Sequence, residues 1–312
     1  MRILVVGAGA VGGYFGGRLA QAGRDVTFLV RTKRAEEMKA KGLQIISPYG
    51  DFTLHPKTAT ARQIAGPYDV ILLSVKSYSL VGAMDDFAAS VGPETMIVPL
   101  LNGMRHMDQL AERFGEHAVL GGVCMVATEV DADGRIRQLT DFQSLVYGEV
   151  DAEITSRVRK LDEAMRDAGF DAAISEDILR DMWRKWVMLA TIGTLTCLLR
   201  GNIGEIASVP GGADVSRLAL AECAGIAAAN GYPQSGAFLE DQTARLTAKD
   251  SKLTSSMYRD FMKGASVEAD TILGDFLERG RERGLVTPIL QAAYASLSIY
   301  QRSLDRAKTA AN

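Results

Sequence analysis

Lys185 stands in an apolar run, WRKWVMLATIG (183–193), with tryptophans at 183 and 186. An ammonium in that setting has two readings. Its stem can lie along apolar surface while the head reaches water, or the side chain can face a cleft and handle a proton. A second group of residues carries chemistry at the other end of the chain. Gly7, Gly9 and Gly12, with Ala10 and Val11, form the G-x-G-x-x-G loop GAGAVG directly after the apolar run ILVV (3–6). The first glycine permits a tight turn, the second lets the backbone approach a pyrophosphate, and the third lets helix and strand pack closely. The helix that follows offers free N–H groups and a positive dipole end to phosphates.

The end of the second strand decides which dinucleotide fits. An acid there would hold a ribose 2′-hydroxyl, but this chain has Arg31, with Lys33 and Arg34 close by and no acid before Glu36. A cationic fork suits a 2′-phosphate, so NADPH is expected rather than NADH. Ligands of open α/β sheets sit at the carboxyl ends of strands. Lys76 follows VILLSV and Asn102–Gly103 follow MIVPLL, so both positions point toward cofactor and substrate. Lys76 can meet a carboxylate or a ribose oxygen, and an Asn102 amide can both donate and accept. Each is equally explained as a residue capping a strand-to-helix turn. His106 reads as a helix-face residue, with no acid placed to orient it.

These groups need a scaffold. Short apolar runs at 3–6, 26–30, 69–75 and 96–101 alternate with helical stretches, which predicts a parallel sheet with helices on both faces. Strand-rich sequence follows at 119–149 around the turn DADG (131–134), then a helix near 154–168. Beyond about 174 the pattern is helical, with segments near 176–199, 211–230, 235–247, 255–282 and 288–304. Thr287–Pro288 supplies an N-cap and a first-turn proline for the last of them. The expected architecture is an α/β Rossmann-type dinucleotide-binding domain (residues 1–172) followed by an all-α domain (173–312), with a ligand cleft between them.

Composition narrows the partners. The 312 residues carry a net charge of −3 and no basic block, which argues against nucleic acid. Cys124, Cys197 and Cys223 lack metal-ligand spacing and fit core positions in a reducing compartment, so no metal is expected. Glycines interrupt the first apolar run where a signal peptide would continue, and 186–199 is too short to span a bilayer. A cytoplasmic protein follows, with no membrane partner, and a homodimer is compatible with the plan.

Together, GAGAVG (7–12), Arg31, SVK (74–76), LNG (101–103), WRK (183–185) and SSMYRDFMKGASVEAD (255–270) make the chain resemble the ketopantoate reductase (2-dehydropantoate 2-reductase) family over nearly its whole length. The resemblance implies an NADPH-binding domain, a helical domain and reduction of a 2-oxo acid between them. It places the catalytic lysine on Lys185, its acidic partner on Glu268 and a substrate-binding serine on Ser256, with Asn102 and Lys76 as site residues of the first domain. Hydride transfer to a keto carbon leaves charge on oxygen, which an ammonium can stabilise and protonate. Two plainer roles stand beside these: an exposed helix charge for Glu268 and a helix N-cap around 254–256 for Ser256.

The chain also departs from the family. Where family members tend to have Asn four and eight residues after the lysine and three before the serine, it has Leu189, Gly193 and Leu253. A more apolar pocket, roomier at Gly193, is expected, with Asn202 and Thr191 as nearby polar groups that could compensate. Losing polar partners should relax specificity for a hydroxylated substrate. Two other readings share the two-domain plan: a non-enzymatic NADP(H) sensor, and an opine- or glycerol-phosphate-type dehydrogenase. Retention of Lys185 and Glu268 speaks against the first, and the WRK and SSM signatures against the second.

Overall fold

Ile3, Leu4, Val5 and Val6 are apolar on both faces, as a strand covered on both sides must be. In the computed structural model, which describes residues 1–311, all four are buried at the centre of a parallel sheet. The chain begins β1 (Arg2–Val6), α1 (Ala10–Gln21), β2 (Asp25–Leu29), α2 (Thr32–Lys41), β3 (Leu43–Ile46), β4 (Phe52–Leu54), β5 (Lys57–Ala59), β6 (Val70–Leu73), α3 (Leu80–Phe87) and β7 (Met96–Pro99). It continues with α4 (Arg105–Phe114), β8 (Gly121–Val130), β9 (Ile136–Gly148), α5 (Ser156–Met165) and β10 (Asp171–Ile174). The parallel sheet has the order β5-β2-β1-β6-β7.

On one face the helix layer is in turn covered by a second sheet. β10, β9, β3 and β4 form a second sheet, with β8 paired antiparallel to β9 across the Asp131–Gly134 turn. Helix α1 lies between the two sheets, and its glycines make this fit. A Cβ at Gly16 would lie 2.8 Å from the Phe28 ring and Val5 of the parallel sheet. One at Gly13 would lie 2.3 Å from Ile136 Cδ1, and one at Gly17 2.5 Å from Ile45 Cδ1, both of the second sheet. Gly16 thus faces one sheet, while Gly13 and Gly17 face the other. Tyr14, Phe15 and Leu19 fill the remaining space with no exposure to solvent.

The rest is helical, as expected: α6 (Ile178–Leu199), α7 (Ile203–Ser208), α8 (Gly212–Ala229), α9 (Gly236–Leu246), α10 (Ser256–Met262), α11 (Asp275–Glu282) and α12 (Pro288–Ala311). The stretch 255–282, which reads as one helix in sequence, is broken. Gly264 takes φ +68° after α10, and the chain re-enters helix through a π-helical turn at Asp270–Gly274. Pro288 opens α12 as predicted, and its first amides are capped from α8. The Glu222 carboxylate accepts from the Ile289 and Leu290 N–H groups at 3.1 and 3.0 Å. Two compact units result: Met1–Leu101 with His106–Met182, and Asn102–Arg105 with the chain from Trp183 onward. The first unit runs past residue 172 to take in the opening turn of α6. Among the described residues no helix is long and apolar enough to cross a membrane.

One partly buried ion pair fastens the end of β9 to α5. The Glu149 carboxylate accepts from Arg157 Nε at 2.8 Å, from Arg157 Nη2 at 2.5 Å and from Thr155 Oγ1 at 2.5 Å. Burial works to raise the Glu149 carboxyl, but the Arg157 and Thr155 hydrogen bonds outweigh it and hold it below its ordinary value of 4.5. Its contribution to stability is therefore complete above that ordinary value and lost as pH falls through the depressed one. Glu149→Gln should cost about 1.5–3 kcal/mol at neutral pH in urea unfolding. The gap from wild type should close below pH 4.5. A gap independent of pH would contradict this account.

Candidate active site

The glycine loop is built as a cradle. Gly7 turns the chain out of β1 at φ +96°, and a Cβ there would press on the Ser74 carbonyl oxygen at 3.1 Å. A Cβ on Gly12 would lie 2.2 Å from the Gly7 oxygen and 2.6 Å from Ser74 Oγ, so no other residue fits. Gly9 caps α1 without a side chain, and nothing lies within 4 Å of where its Cβ would be. The loop's helical bonding starts at Gly13 N–H to Gly9 C=O, 2.8 Å, which leaves the amides of Ala10, Val11 and Gly12 outside that ladder. Ser74 Oγ, buried beside Gly12, has no hydrogen-bond partner among the described residues. Open backbone amides at a helix N-terminus and an unused hydroxyl suit a pyrophosphate.

Arg31 is exposed at the N-cap of α2, a helix with no acid in its first turn. Neither Arg31 nor Lys33 makes an ion pair among the described residues. Arg34 is tied to Glu37 at 3.2 Å. The cationic pair beyond β2 is thus Arg31 with Lys33. Lys76 is exposed at the start of the short 3-10 turn after β6. His106 is buried in α4, on a helix face as expected.

The other candidates fall together in the second unit. Asn102 is half-buried, and Gly103 beside it takes φ +82° with its Cα against Thr271, where a Cβ would lie 2.7 Å from the backbone oxygen. Lys185 is half-buried on α6, next to Trp186, whose Nε1 donates to the Ile272 carbonyl at 2.9 Å. Ile272 N–H in turn donates to the Glu268 carbonyl at 3.0 Å. Glu268 is therefore no exposed helix charge. It is half-buried in the loop that opens the helical segment, tied by backbone to the partner of Lys185's neighbour. The N-cap role falls to Ser255, which is buried, accepts from Tyr258 N–H at 2.9 Å and meets Thr196 Oγ1 at 2.9 Å. Ser256, one residue on, is exposed and has no capping duty.

Two expectations about the pocket are corrected. Gly193 does not leave a void, because Met257 Cε sits 2.8 Å from where a Cβ would be. Nor do Thr191 and Asn202 stand in for missing amides. Thr191 is fully buried and donates to Val187 C=O, while Asn202 caps α7 in a reciprocal box with Glu205. Along the middle of α6 the partly accessible residues near Lys185 are Met188 and Leu189, three and four positions on. Side chains so spaced share a helix face, so that face is apolar on the C-terminal side of Lys185, whereas the half-buried Asp181 stands four residues before it. Trp186 and Met257, not singled out from sequence as site residues, both make contacts beside these candidates. The second tryptophan of WRKW was the available signal.

Comparison with known proteins identifies the family. The model of the ketopantoate reductase PanE/ApbA family matches residues 3–152, and the model of its C-terminal part matches 177–301. The chain belongs to the ketopantoate reductase family. An uncharacterized oxidoreductase, YkpB of Bacillus subtilis (strain 168), is 36% identical over 301 residues, covering 96% of this chain and 99% of that one. The crystal structure of 2-dehydropantoate 2-reductase from Geobacter metallireducens GS-15 superposes with a TM-score of 0.87 at 28% identity, covering 96% and 99% of the two chains. A D-mandelate dehydrogenase, solved with NADH and anilino(oxo)acetate, shares the fold at 22% identity, with a TM-score of 0.87 and coverage of 98% and 99%. The family is one of oxidoreductases.

The two serines separate structure from function. Ser255→Ala should lower stability by about 1 kcal/mol through loss of the cap. Ser256→Ala should leave the unfolding midpoint unchanged. Equal destabilisation by both would return Ser256 to a capping role.

Proposed function

We propose that the protein reduces a 2-oxo acid to the 2-hydroxy acid with NADPH, as a 2-dehydropantoate 2-reductase acting on ketopantoate or as a paralogue with a more apolar substrate. The observation that carries this reading is the half-buried Lys185, with Met188 and Leu189 beyond it on α6, linked through Trp186 and Ile272 to the turn bearing Glu268. Bound at the glycine loop, NADPH would supply the hydride. Gly7, Gly9, Ala10, Val11 and Gly12 would hold the pyrophosphate, Arg31 with Lys33 the 2′-phosphate, and Lys76 a ribose oxygen or carboxylate. Asn102 has a place on both sides, toward cofactor and substrate.

Chemistry at the keto carbon turns a carbonyl oxygen into an alkoxide. The Lys185 ammonium would stabilise that charge and deliver the proton, with Glu268 as its acidic partner. Ser256 would hold the substrate carboxylate or a hydroxyl. Met188, Leu189 and the Met257 methyl that fills the space at Gly193 support an apolar substituent on the substrate. The fold of the D-mandelate dehydrogenase, whose complex holds an aryl 2-oxo compound, is compatible with that alternative.

Loss of NADPH absorbance with ketopantoate and 3,3-dimethyl-2-oxobutanoate, its analogue lacking the hydroxyl, tests the proposal. Turnover of either that falls about 100- to 1,000-fold in Lys185→Ala is expected. NADPH binding without turnover of any 2-oxo acid would overturn the enzymatic reading in favour of a sensor. Arg31→Ala should reduce the preference for NADPH over NADH about tenfold, the worth of one charge-assisted hydrogen bond. An unchanged preference would remove Arg31 from the 2′-phosphate site.

A further inference from the structure

Ile272 occupies an unusual place. It lies inside the π-helical turn Asp270–Gly274, and π turns are rare and concentrate at functional sites. Its N–H holds the Glu268 carbonyl, and its C=O takes the Trp186 indole N–H. The indole has no freedom to swing: Trp186 is 1% exposed, with its ring centroid 4.5 Å from that of Phe276 and 5.0 Å from that of Trp183. The turn is gripped elsewhere too. Tyr294 donates to Asp270 at 2.8 Å, and Gly274 lies close enough to the Tyr294 ring that a Cβ would sit 3.1 Å from it. Gly103 closes on Thr271 from the loop that carries Asn102.

From these contacts we infer that Trp186 is a positioning residue for the proposed reduction, setting the separation of Lys185 and Glu268 through its hydrogen bond to Ile272. The inference rests on the reading of Lys185 and Glu268 given above. An aromatic ring alone would fill the same volume against Phe276 and Trp183. What the indole adds is one directed bond, fixing the rotation of α6 relative to the turn that starts at Glu268. A displacement on the order of 1 Å between a reacting group and its partner can cost about 100-fold in rate.

Trp186→Phe keeps the ring and removes the N–H. With ketopantoate and 3,3-dimethyl-2-oxobutanoate as substrates, kcat per NADPH-binding site should fall about 10- to 100-fold. The NADPH Kd should stay within about twofold of wild type, because the glycine loop is untouched. A packing role alone would lower the unfolding midpoint and the fraction of binding-competent protein, leaving kcat per site unchanged, and that result would overturn the inference. Should Trp186→Phe fail to fold by circular dichroism, Tyr294→Phe removes the grip on Asp270 from the other end. It should lower kcat per site with the same sparing of NADPH binding, and a wild-type kcat would be equally fatal. Absence of turnover in the wild-type protein would instead refute the proposed function itself.

Discussion

The indole of Trp186 and the carbonyl of Ile272 meet in the interior of the helical unit, where an unmade hydrogen bond would be costly to both. That bond constrains everything around it. It ties the middle of α6, buried almost continuously from Ala190 to Cys197, to a turn that departs from regular α-helix. The residue beside one end is Lys185, and the residue one turn before the other is Glu268. A flexible lysine gains a defined address only if its helix cannot rotate. Trp183 and Phe276 packed around the indole, with Tyr232 stacked on Trp183 at 5.2 Å, supply that rigidity.

The nucleotide-binding unit solves a different problem with the same economy of side chains. Placing α1 between two sheets brings backbone close to strands on both sides, and a Cβ at position 13, 16 or 17 would force the facing side chains to shift. The glycines of the loop and those of the helix thus serve one geometry: a helix seated deeply enough that its N-terminus opens directly above the carboxyl end of β1. Loop and helix packing are parts of the same constraint, and disturbing either moves the amides of Ala10 and Val11.

Much of this was legible in the residues themselves. ILVV, VTFLV and DVILLSV announce buried parallel strands, GAGAVG its loop, and Thr287–Pro288 a helix start that the structure reproduces. What escaped depends on contacts distant in sequence. The second sheet is joined by the parallel pairing of Ile45 with Ile136, which no local periodicity encodes. β10 is only four residues long, and its pairing with β9 is likewise non-local. Helix α7 is only six residues long, too short for an apolar period, and its one local signal is the capping box of Asn202 with Glu205. The apolar spacing across 255–282 masked the break at Gly264, and so hid that Glu268 stands in a loop. Gly193 looked like empty space because a sequence does not show that Met257 folds back to fill it.

The proposed reduction needs Lys185 and Glu268 to act as one unit, held by the helix and turn described above. A double-mutant cycle on kcat/KM with Lys185→Ala, Glu268→Gln and the combined variant tests it most directly. Groups that work as a unit are strongly non-additive. The double variant is expected to lose about as much as Lys185→Ala alone. Losses that multiply would show two independent contributions and contradict it.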